Sequence, residues 1–307
     1  MKILVTGGAG YIGSILIPLL LERGYKVHLF DNFMWGVKPI LYFADNPNLE
    51  ITTGDIRDED VVKKAMKDAD MVFHLAAIVG YPACAADPAR AISINVGGTK
   101  NVVKNLSKNQ RLVFASTGST YGKVDGICTE DTPIAPLTLY GSTKSEGEKM
   151  CLDAGGIGLR FATVFGLAPR LRLDLLVNDF VYQAVHNKQI VLYEGHFRRT
   201  FLHSKDAAYS YLFAIDNYDK MQGQAFNIGD NSMNYTKREI ALKIKEFTDY
   251  YLHEADIGED LDKRDYEVSY EKINNLGFFS KITLEDGIKE LIKVLKHIKL
   301  TNEWRNA

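Results

Sequence analysis

The sequence of 307 residues contains little cysteine, little net charge and no long apolar run. Its three cysteines, Cys84, Cys128 and Cys151, lack paired spacing, which excludes a disulfide framework and indicates reduced thiols. No His/Cys cluster has the spacing of a zinc site, so we expect no bound metal. The formal net charge of -2 gives no electrostatic reason to expect nucleic acid or an anionic membrane as a partner.

Apolar segments are short wherever they occur. The initial "MKILVTGGAG" runs into glycines after a few apolar residues, unlike a signal peptide. The segment "ILIPLLLERGY" becomes charged too soon to span a bilayer. The sequence therefore predicts a cytoplasmic protein without membrane association.

The first half of the chain alternates apolar runs with helical patterns. The strand-like runs are "KILVTG", "KVHLFD", "LEITTGD", "MVFHLAA", "RLVFAST" and "IGLRFATVFG", and helical patterns such as "DEDVVKKAMKDA" and "NVGGTKNVVKNLSKN" separate them. Near-continuous apolar strands alternating with helices indicate a parallel sheet covered on both faces. The sequence predicts an α/β fold with a doubly wound parallel sheet of the Rossmann type.

This alternation breaks after Gly166. We predict a dinucleotide-binding domain over residues 1–166, with a segment of about 203–230 returning to it. Residues 167–202 and 231–307 form a smaller C-terminal substrate-binding lobe in this interpretation. Ligands of such folds bind at the carboxyl ends of the strands, so we expect the site in the cleft beneath the second lobe.

A glycine motif follows the first predicted strand. Gly7, Gly10 and Gly13 are spaced G-x-x-G-x-x-G and open an apolar helix, as a tight turn around a pyrophosphate requires. Asp31 ends the second strand, where a carboxylate accepts from both ribose hydroxyls and repels a 2'-phosphate. No arginine follows in "DNFMWG", which favours NAD over NADP. A methyltransferase also combines a glycine loop with such an acid, but the three-residue spacing argues against it.

Two further patterns point to the same cleft. Asp55 and Ile56 end the third strand as candidate adenine contacts, with a helix N-cap the alternative for Asp55. Tyr140 and Lys144 lie four residues apart on a predicted helix and share a face. A phenol has a pKa near ~10, and an adjacent ammonium lowers that pKa toward the range of a general base.

Together these segments resemble the extended short-chain dehydrogenases/reductases that act on nucleotide-diphosphate sugars, the NAD-dependent epimerase/dehydratase family. The matching segments are "TGGAGYIG", "GDIRD", "FHLAA", "NVGGTKN", "FASTGSTYG", "EDTPIAPLTLYGSTK", "LRFATVFG", "RRTFLH" and "RDYEVSYEKINNLGF". The resemblance implies that Tyr140 is the base for the sugar 4-hydroxyl. It also implies that Lys144 tunes Tyr140 and holds the nicotinamide ribose, and that the Thr117 hydroxyl bonds the reacting oxygen.

The resemblance also implies contacts to each ligand. The expected NAD contacts are Gly7, Gly10, Tyr11, Ile12, Gly13, Asp31, Asn32, Asp55, Ile56, Leu75, Ala76, Ala77, Asn95, Tyr140 and Lys144. The expected substrate contacts are Thr117, Ser119, Thr163, Asn178, Arg199 and Arg264. Asn95 is expected to orient backbone near the nicotinamide, with a purely structural role the alternative. Thr163 stands where many relatives carry asparagine, and Arg170 and Arg172 could face the substrate or the solvent.

Gly118 and Ser119 narrow the expected reaction. Relatives that dehydrate the sugar place Asp and Glu directly after the threonine, and this chain has neither. The resemblance therefore implies oxidation at C4, either with hydride return as a 4-epimerase or with release of the 4-keto sugar as a 4-dehydrogenase. The alternatives are a 4,6-dehydratase or a 4-ketoreductase of the same family, and a non-catalytic NAD-sensing protein. Relatives commonly pair through a four-helix interface, so a homodimer or higher homo-oligomer is expected.

Overall fold

The computed structural model describes residues 1–255, 265–298 and 305–306. Its strands are β1 (Lys2–Thr6), β2 (Lys26–Asp31), β3 (Leu49–Thr53), β4 (Met71–His74), β5 (Arg111–Thr117), β6 (Lys123–Cys128), β7 (Ile157–Phe161), β8 (Thr163–Phe165), β9 (Gln189–Leu192), β10 (Arg198–His203), β11 (Ala225–Ile228), β12 (Asn234–Thr236), β13 (Tyr251–Glu254) and β14 (Asp265–Val268). Its α-helices are α1 (Gly13–Glu22), α2 (Glu59–Met66), α3 (Tyr81–Ala86), α4 (Pro88–Ile92), α5 (Thr99–Lys104), α6 (Leu139–Asp153), α7 (Leu176–His186), α8 (Ser204–Asp216), α9 (Tyr218–Met221), α10 (Lys237–Lys245), α11 (Glu271–Asn274) and α12 (Leu284–Leu295).

A seven-stranded parallel sheet organises the molecule. The strand order is β11-β7-β5-β4-β1-β2-β3, and every neighbouring pair runs parallel. The chain winds outward from β1 to β3 on one side and from β4 to β11 on the other. The order therefore reverses between β1 and β4, and ligands of doubly wound sheets bind at this point. The predicted fold class is confirmed.

Helices cover both faces of this sheet. Successive residues of a strand point to opposite faces, and β1 shows the consequence. Ile3 and Val5 pack in the cluster that contains the buried side chains of α1. Leu4 packs in a second cluster with the buried side chains of α2 and α5. A strand covered on both sides needs apolar residues at consecutive positions, which explains the continuous apolar runs of the sequence.

Two elements differ from the sequence prediction. The run "IGLRFATVFG" forms two strands, because the chain leaves the sheet after Ala162, whose N–H donates to Ile228 O at 2.9 Å. Beyond that point Thr163 pairs with Phe201 of β10. The helix expected from "NVGGTKNVVKNLSKN" begins as a π-helical segment, Ser93–Gly98, which joins α4 to α5.

The later elements build a second core above the carboxyl edge of the sheet. β10 pairs with β8 and β12, and β9 pairs with β13. Buried apolar side chains of α7, α10 and α12 form one cluster with residues of β8, β9 and β10. The segment 203–230 contains α8 and β11, and β11 is an edge strand of the central sheet. The domain boundaries that we predict from the sequence stay predictions. None of the helices in the described ranges is long and apolar enough to cross a membrane.

Candidate active site

The turn between β1 and α1 forms one wall of a large cavity at the point where the strand order reverses. Gly7 has φ +72°, and a Cβ there would stand 2.7 Å from Ala76 N. A Cβ on Gly13 would stand 2.6 Å from Gly7 O. α1 begins without a side-chain cap and without an acid in its first turn. The N–H groups of Ser14 and Leu16 bond to Gly10 O and Ile12 O. Since no side chain or acid occupies the start of the helix, the positive end of its dipole is open to a pyrophosphate.

Asp31 lies at the end of β2 on the same cavity. Its Oδ2 accepts from Ala9 N at 3.0 Å and its Oδ1 accepts from Phe33 N at 2.8 Å. Each carboxylate oxygen has a second lone pair that can accept from a ribose hydroxyl. Burial raises the pKa of Asp31 above its ordinary value, partly opposed by the bonds from Phe33 and Ala9.

Asp55 also lines the cavity, and its carboxylate is bound by Arg57 through Nε at 2.9 Å and Nη2 at 2.6 Å. The N-cap alternative for Asp55 is wrong, because Asp58 caps α2 by accepting from Asp60 N and Val61 N. The adenine contact expected of Asp55 stays a prediction.

The catalytic candidates lie on β5 and α6. Thr117, Tyr140 and Lys144 line the cavity together with Ser119. The Thr117 hydroxyl donates to Ser119 Oγ at 3.1 Å and accepts from Ser119 N at 3.2 Å. Thr138 caps α6 by accepting from Gly141 N, which fixes the first turn of the helix that carries Tyr140.

Lys144 is buried, and its Nζ lies 4.1 Å from the centroid of the Phe114 ring. Burial lowers the pKa of Lys144 to about 7, while the nearby Cys84 and Glu148 oppose the shift. A buried ammonium without a partner is unfavourable, so an adjacent negative charge would stabilise the charged form of Lys144.

Tyr266 limits the space beside Gly118, the residue that follows Thr117. A Cβ at Gly118 would stand 3.2 Å from the Tyr266 hydroxyl oxygen. Tyr266 also lines the cavity. A side chain at position 118 would therefore lie against this tyrosine, whose hydroxyl would have to shift by a few tenths of an ångström.

The cavity fits NAD. Its glycine turn leaves a cradle that any Cβ would fill, and Ser116 Oγ is buried on the lining with no hydrogen-bond partner among the described residues. A profile described as the NAD dependent epimerase/dehydratase family matches residues 3–229. The chain belongs to this family.

Individual relatives differ in their reactions. "Putative UDP-glucose 4-epimerase" of Methanocaldococcus jannaschii is 32% identical over 96% of this chain and 98% of its own length. UDP-glucuronic acid decarboxylase 1 of Arabidopsis thaliana is 29% identical over 99% of this chain and 71% of its own length. The crystal structure of UDP-glucuronic acid 4-epimerase from Bacillus cereus, in complex with UDP-glucuronic acid and NAD, is 26% identical. It has a TM-score of 0.83 and covers 96% of this chain and 99% of its own.

The family assignment fixes the cofactor as NAD. Most of the residues predicted to contact it lie on the one cavity: Gly7, Gly10, Tyr11, Ile12, Gly13, Asp31, Asn32, Asp55, Ile56, Leu75, Ala76, Ala77, Tyr140 and Lys144. Asn95 is outside the lining. Its Oδ1 accepts from Ile78 N at 2.7 Å and its Nδ2 donates to Ile78 O at 3.0 Å, so it fixes backbone beside the cavity.

The predicted substrate contacts divide into two groups. Thr117, Ser119 and Thr163 line the cavity. Asn178 does not, because its buried amide is bonded within the protein: Oδ1 accepts from Gly166 N at 2.9 Å, and Nδ2 donates to Arg172 O at 2.8 Å and to the hydroxyl of Tyr11, in the glycine turn, at 3.3 Å. Arg199 is buried on β10 outside the cavity lining, with Nη1 donating to Arg198 O. Arg264 lies outside the described residues.

Some lining residues were not selected from the sequence. Trp35 and Tyr266 were missed, and Arg170 and Arg172 were left between a substrate-facing and a solvated role. Both arginines are buried on the lining, and Arg172 is paired with Asp174 at 2.5 Å. The sequence signal was available in "APRLRLD", where two arginines alternate with apolar residues. Among the described residues, no group of three or more His, Cys, Asp or Glu side chains could hold a metal ion.

Proposed function

We propose that the protein is an NAD-dependent 4-epimerase of a nucleotide-diphosphate sugar, which oxidises C4 and re-reduces it without eliminating water. One observation supports this most strongly. Thr117, Tyr140 and Lys144 share a cavity with the glycine turn, and the two positions after Thr117 carry no acid. NAD, when bound, supplies the acceptor and donor for the C4 hydride.

Each of the three residues has a distinct task. Tyr140 removes the proton of the 4-hydroxyl, and Thr117 donates a hydrogen bond to the same oxygen. Lys144 stabilises the phenolate form of Tyr140, because burial makes its own ammonium dependent on a neighbouring anion. Thr117 now donates to Ser119, so its hydroxyl must rotate when substrate binds.

The residues that follow Thr117 are the reason we expect no elimination of water from the sugar. Loss of water across C5 and C6 needs one group to take the C5 proton and another to protonate the leaving oxygen. Gly118 has no side chain, and Tyr266 occupies the adjacent space. Ser119 is bonded to Thr117, and an unperturbed hydroxyl is a poor acid and a poor base at neutral pH.

Two of the comparisons support the net reaction that we propose. The 4-epimerase of Bacillus cereus shares the fold over almost the whole chain, and the Methanocaldococcus jannaschii relative is named for the same reaction type. The substrate class, a nucleoside diphosphate linked to a sugar, follows from those names. The homo-oligomer and the cytoplasmic location stay predictions.

The test is a panel of nucleotide sugars, including UDP-glucose, UDP-glucuronic acid and dTDP-glucose, with products identified by NMR and NADH followed by absorbance. We expect a 4-epimer without accumulation of NADH. A stoichiometric 4-keto product with NADH would replace the epimerase by a 4-dehydrogenase. A 4-keto-6-deoxy sugar would contradict the proposed absence of elimination.

A further inference from the structure

Arg170 lies on the dinucleotide side of the cavity. It belongs to the connection between β8 and α7, and only 3% of its surface is exposed. Its backbone N–H donates to the Oγ of Ser14, in the first turn of α1, at 3.4 Å. Its guanidinium carbon lies 4.6 Å from the ring centroid of Trp35, in the loop that follows Asp31. Arg170 therefore connects the two segments that frame a bound dinucleotide, with its backbone on α1 and its guanidinium on the loop after Asp31.

The guanidinium of Arg170 has no ion-pair partner among the described residues. No carboxylate there lies within ion-pair distance of it, whereas the neighbouring Arg172 is paired with Asp174. The Nε of Arg170 is buried and has no hydrogen-bond partner among the described residues. Burial, reinforced by Arg172 and partly opposed by Asp174, lowers the pKa of Arg170 to about 10. A buried guanidinium without an anion is unfavourable, so this position is suited to a ligand anion.

Two side chains and one carbonyl hold the guanidinium in place, and the carbonyl is Leu171 O, which accepts from Nη1. Trp35 stacks on it, and the Oδ1 of Asn306 accepts from its Nη2 at 3.0 Å. The Nδ2 of Asn306 donates to Val79 O at 3.3 Å, on another part of the cavity wall. Trp35, Arg170 and Asn306 thus form a bracket that connects the β2 loop, the second lobe and the segment after β4.

We propose that Arg170 binds the pyrophosphate of NAD, and that the bracket of Trp35, Arg170 and Asn306 slows NAD release. The ligand chemistry is a diphosphate, which a nucleotide sugar also carries. The dinucleotide is favoured because Arg170 contacts the first turn of α1 and the loop after Asp31, which hold the cofactor side. A guanidinium matches phosphate oxygens, and its charge adds to the positive end of the α1 dipole.

This proposal rests on the proposed function and deepens it. A 4-epimerase regains its oxidised cofactor in every turnover and has no need to exchange it. A dehydrogenase must release NADH each cycle, and slow release would limit it. Slow NAD release is therefore compatible with the hydride return that we propose.

The test compares Arg170→Met, Arg170→Lys and Trp35→Leu with the wild type. Arg23→Met is the matched control, because Arg23 is an exposed arginine paired with Asp216 and lies outside the cavity. Nucleotide-stripped protein is titrated with ADP-ribose, with adenosine and with UDP. The dissociation rate of NAD is measured from loaded protein, and circular dichroism and thermal unfolding report folding.

We expect Arg170→Met to weaken ADP-ribose binding roughly 10- to 100-fold and to leave adenosine binding unchanged. NAD dissociation should accelerate in proportion. Arg170→Lys should recover part of the affinity, since lysine binds phosphate as a point charge without the fork. Trp35→Leu keeps the charge and should give a smaller loss. Arg23→Met should behave as the wild type.

The opposite outcomes are equally informative. Unchanged ADP-ribose affinity in a folded Arg170→Met protein would overturn the proposal, and so would a loss confined to UDP, which assigns the guanidinium to the substrate. If Arg170→Met does not fold, unchanged NAD release in both Arg170→Lys and Trp35→Leu overturns it. Failure of the proposed function looks different: ADP-ribose binding depends on Arg170, but no nucleotide sugar is turned over by the wild type.

Discussion

The two sides of the cavity use their buried polar groups in opposite ways. On the side of the central sheet, Ser116 Oγ has no partner among the described residues, and Lys144 is buried where an anion would stabilise it. On the side of the second lobe, Asn178 bonds Gly166 and Arg172, and Arg172 is paired with Asp174. The sheet side is organised for a ligand, and most of the lobe side is organised to hold itself together.

This difference separates polar residues that stabilise the fold from polar residues that bind a ligand. A buried polar group whose partners are within the protein contributes to stability, and removing it lowers the free energy of unfolding. A buried polar group that lacks partners is unfavourable until a ligand supplies them. Arg170 is the exception on the lobe side, which is why it carries a binding proposal. The variants below test this division, from the largest expected effect to the smallest.

Tyr140→Phe should lower turnover by about 10²- to 10⁴-fold, because it removes the group that takes the 4-hydroxyl proton. NAD affinity and thermal stability should change little, since the ring is retained. The measurement is the initial rate with the best nucleotide sugar, with NAD titrated in parallel. Tyr209→Phe, at an exposed tyrosine outside the cavity, is the control. Normal turnover by Tyr140→Phe would remove the sheet side as the catalytic side.

Asn178→Ala should destabilise the protein by about 2–3 kcal/mol, because it leaves the Gly166 N–H and the Arg172 carbonyl without partners in a buried region. UDP affinity of the remaining folded protein should be unchanged. Urea unfolding and UDP titration measure the two effects separately. Asn217→Ala, at a partly buried asparagine that donates to Phe213 O, should cost about 1 kcal/mol or less. Full stability with weakened UDP binding would instead make Asn178 a phosphate ligand.

The same division explains which features could be predicted from the sequence. The glycine turn and Asp31 could be predicted because their function depends on local geometry, which spacing records. The doubly wound sheet could be predicted because strands covered on both faces must be apolar at consecutive positions. The pair Tyr140 and Lys144 is likewise local, since four residues make one face of a helix.

The lobe side could not be predicted in the same way. Whether Asn178 reaches a ligand or the backbone of Gly166 depends on contacts between residues distant in the sequence. Trp35 was missed because it looks like an ordinary loop residue, and only the fold brings Arg170 onto its ring. Tyr266 was missed for the same reason, because it lies beside Gly118 in the fold but is distant from it in the sequence.

Lys144→Met should make the nucleotide-free protein more stable at pH 7, by about 1–3 kcal/mol, while turnover is lost. Folding lowers the pKa of Lys144 from 10.5 to about 7, so between these pH values the unfolded chain binds more protons. The stability of the wild type should therefore rise with pH across this window, and Lys144→Met should lack that part of the slope. Urea unfolding at several pH values measures it, with Lys149→Met, at an exposed lysine of α6, as control. An equal slope in Lys144→Met and the wild type would contradict the prediction.

Asp31→Asn should weaken NAD binding about tenfold, because a neutral amide bonds ribose hydroxyls less strongly than a carboxylate does. The ratio of NAD affinity to NADP affinity should also fall, because the amide no longer repels a 2'-phosphate. The bond from Phe33 N can persist, since the amide keeps one carbonyl oxygen, so stability should fall by less than in Asn178→Ala. Titration with both dinucleotides measures the effect, and Asp45→Asn, at an exposed position, is the control. Because burial raises the pKa of Asp31, NAD affinity should also begin to fall, on acidification, at a higher pH than an exposed aspartate would allow. Unchanged affinity for both dinucleotides would mean that Asp31 only holds the backbone of Ala9 and Phe33. Asp31 would then be a structural residue, as Asn178 is in the second lobe.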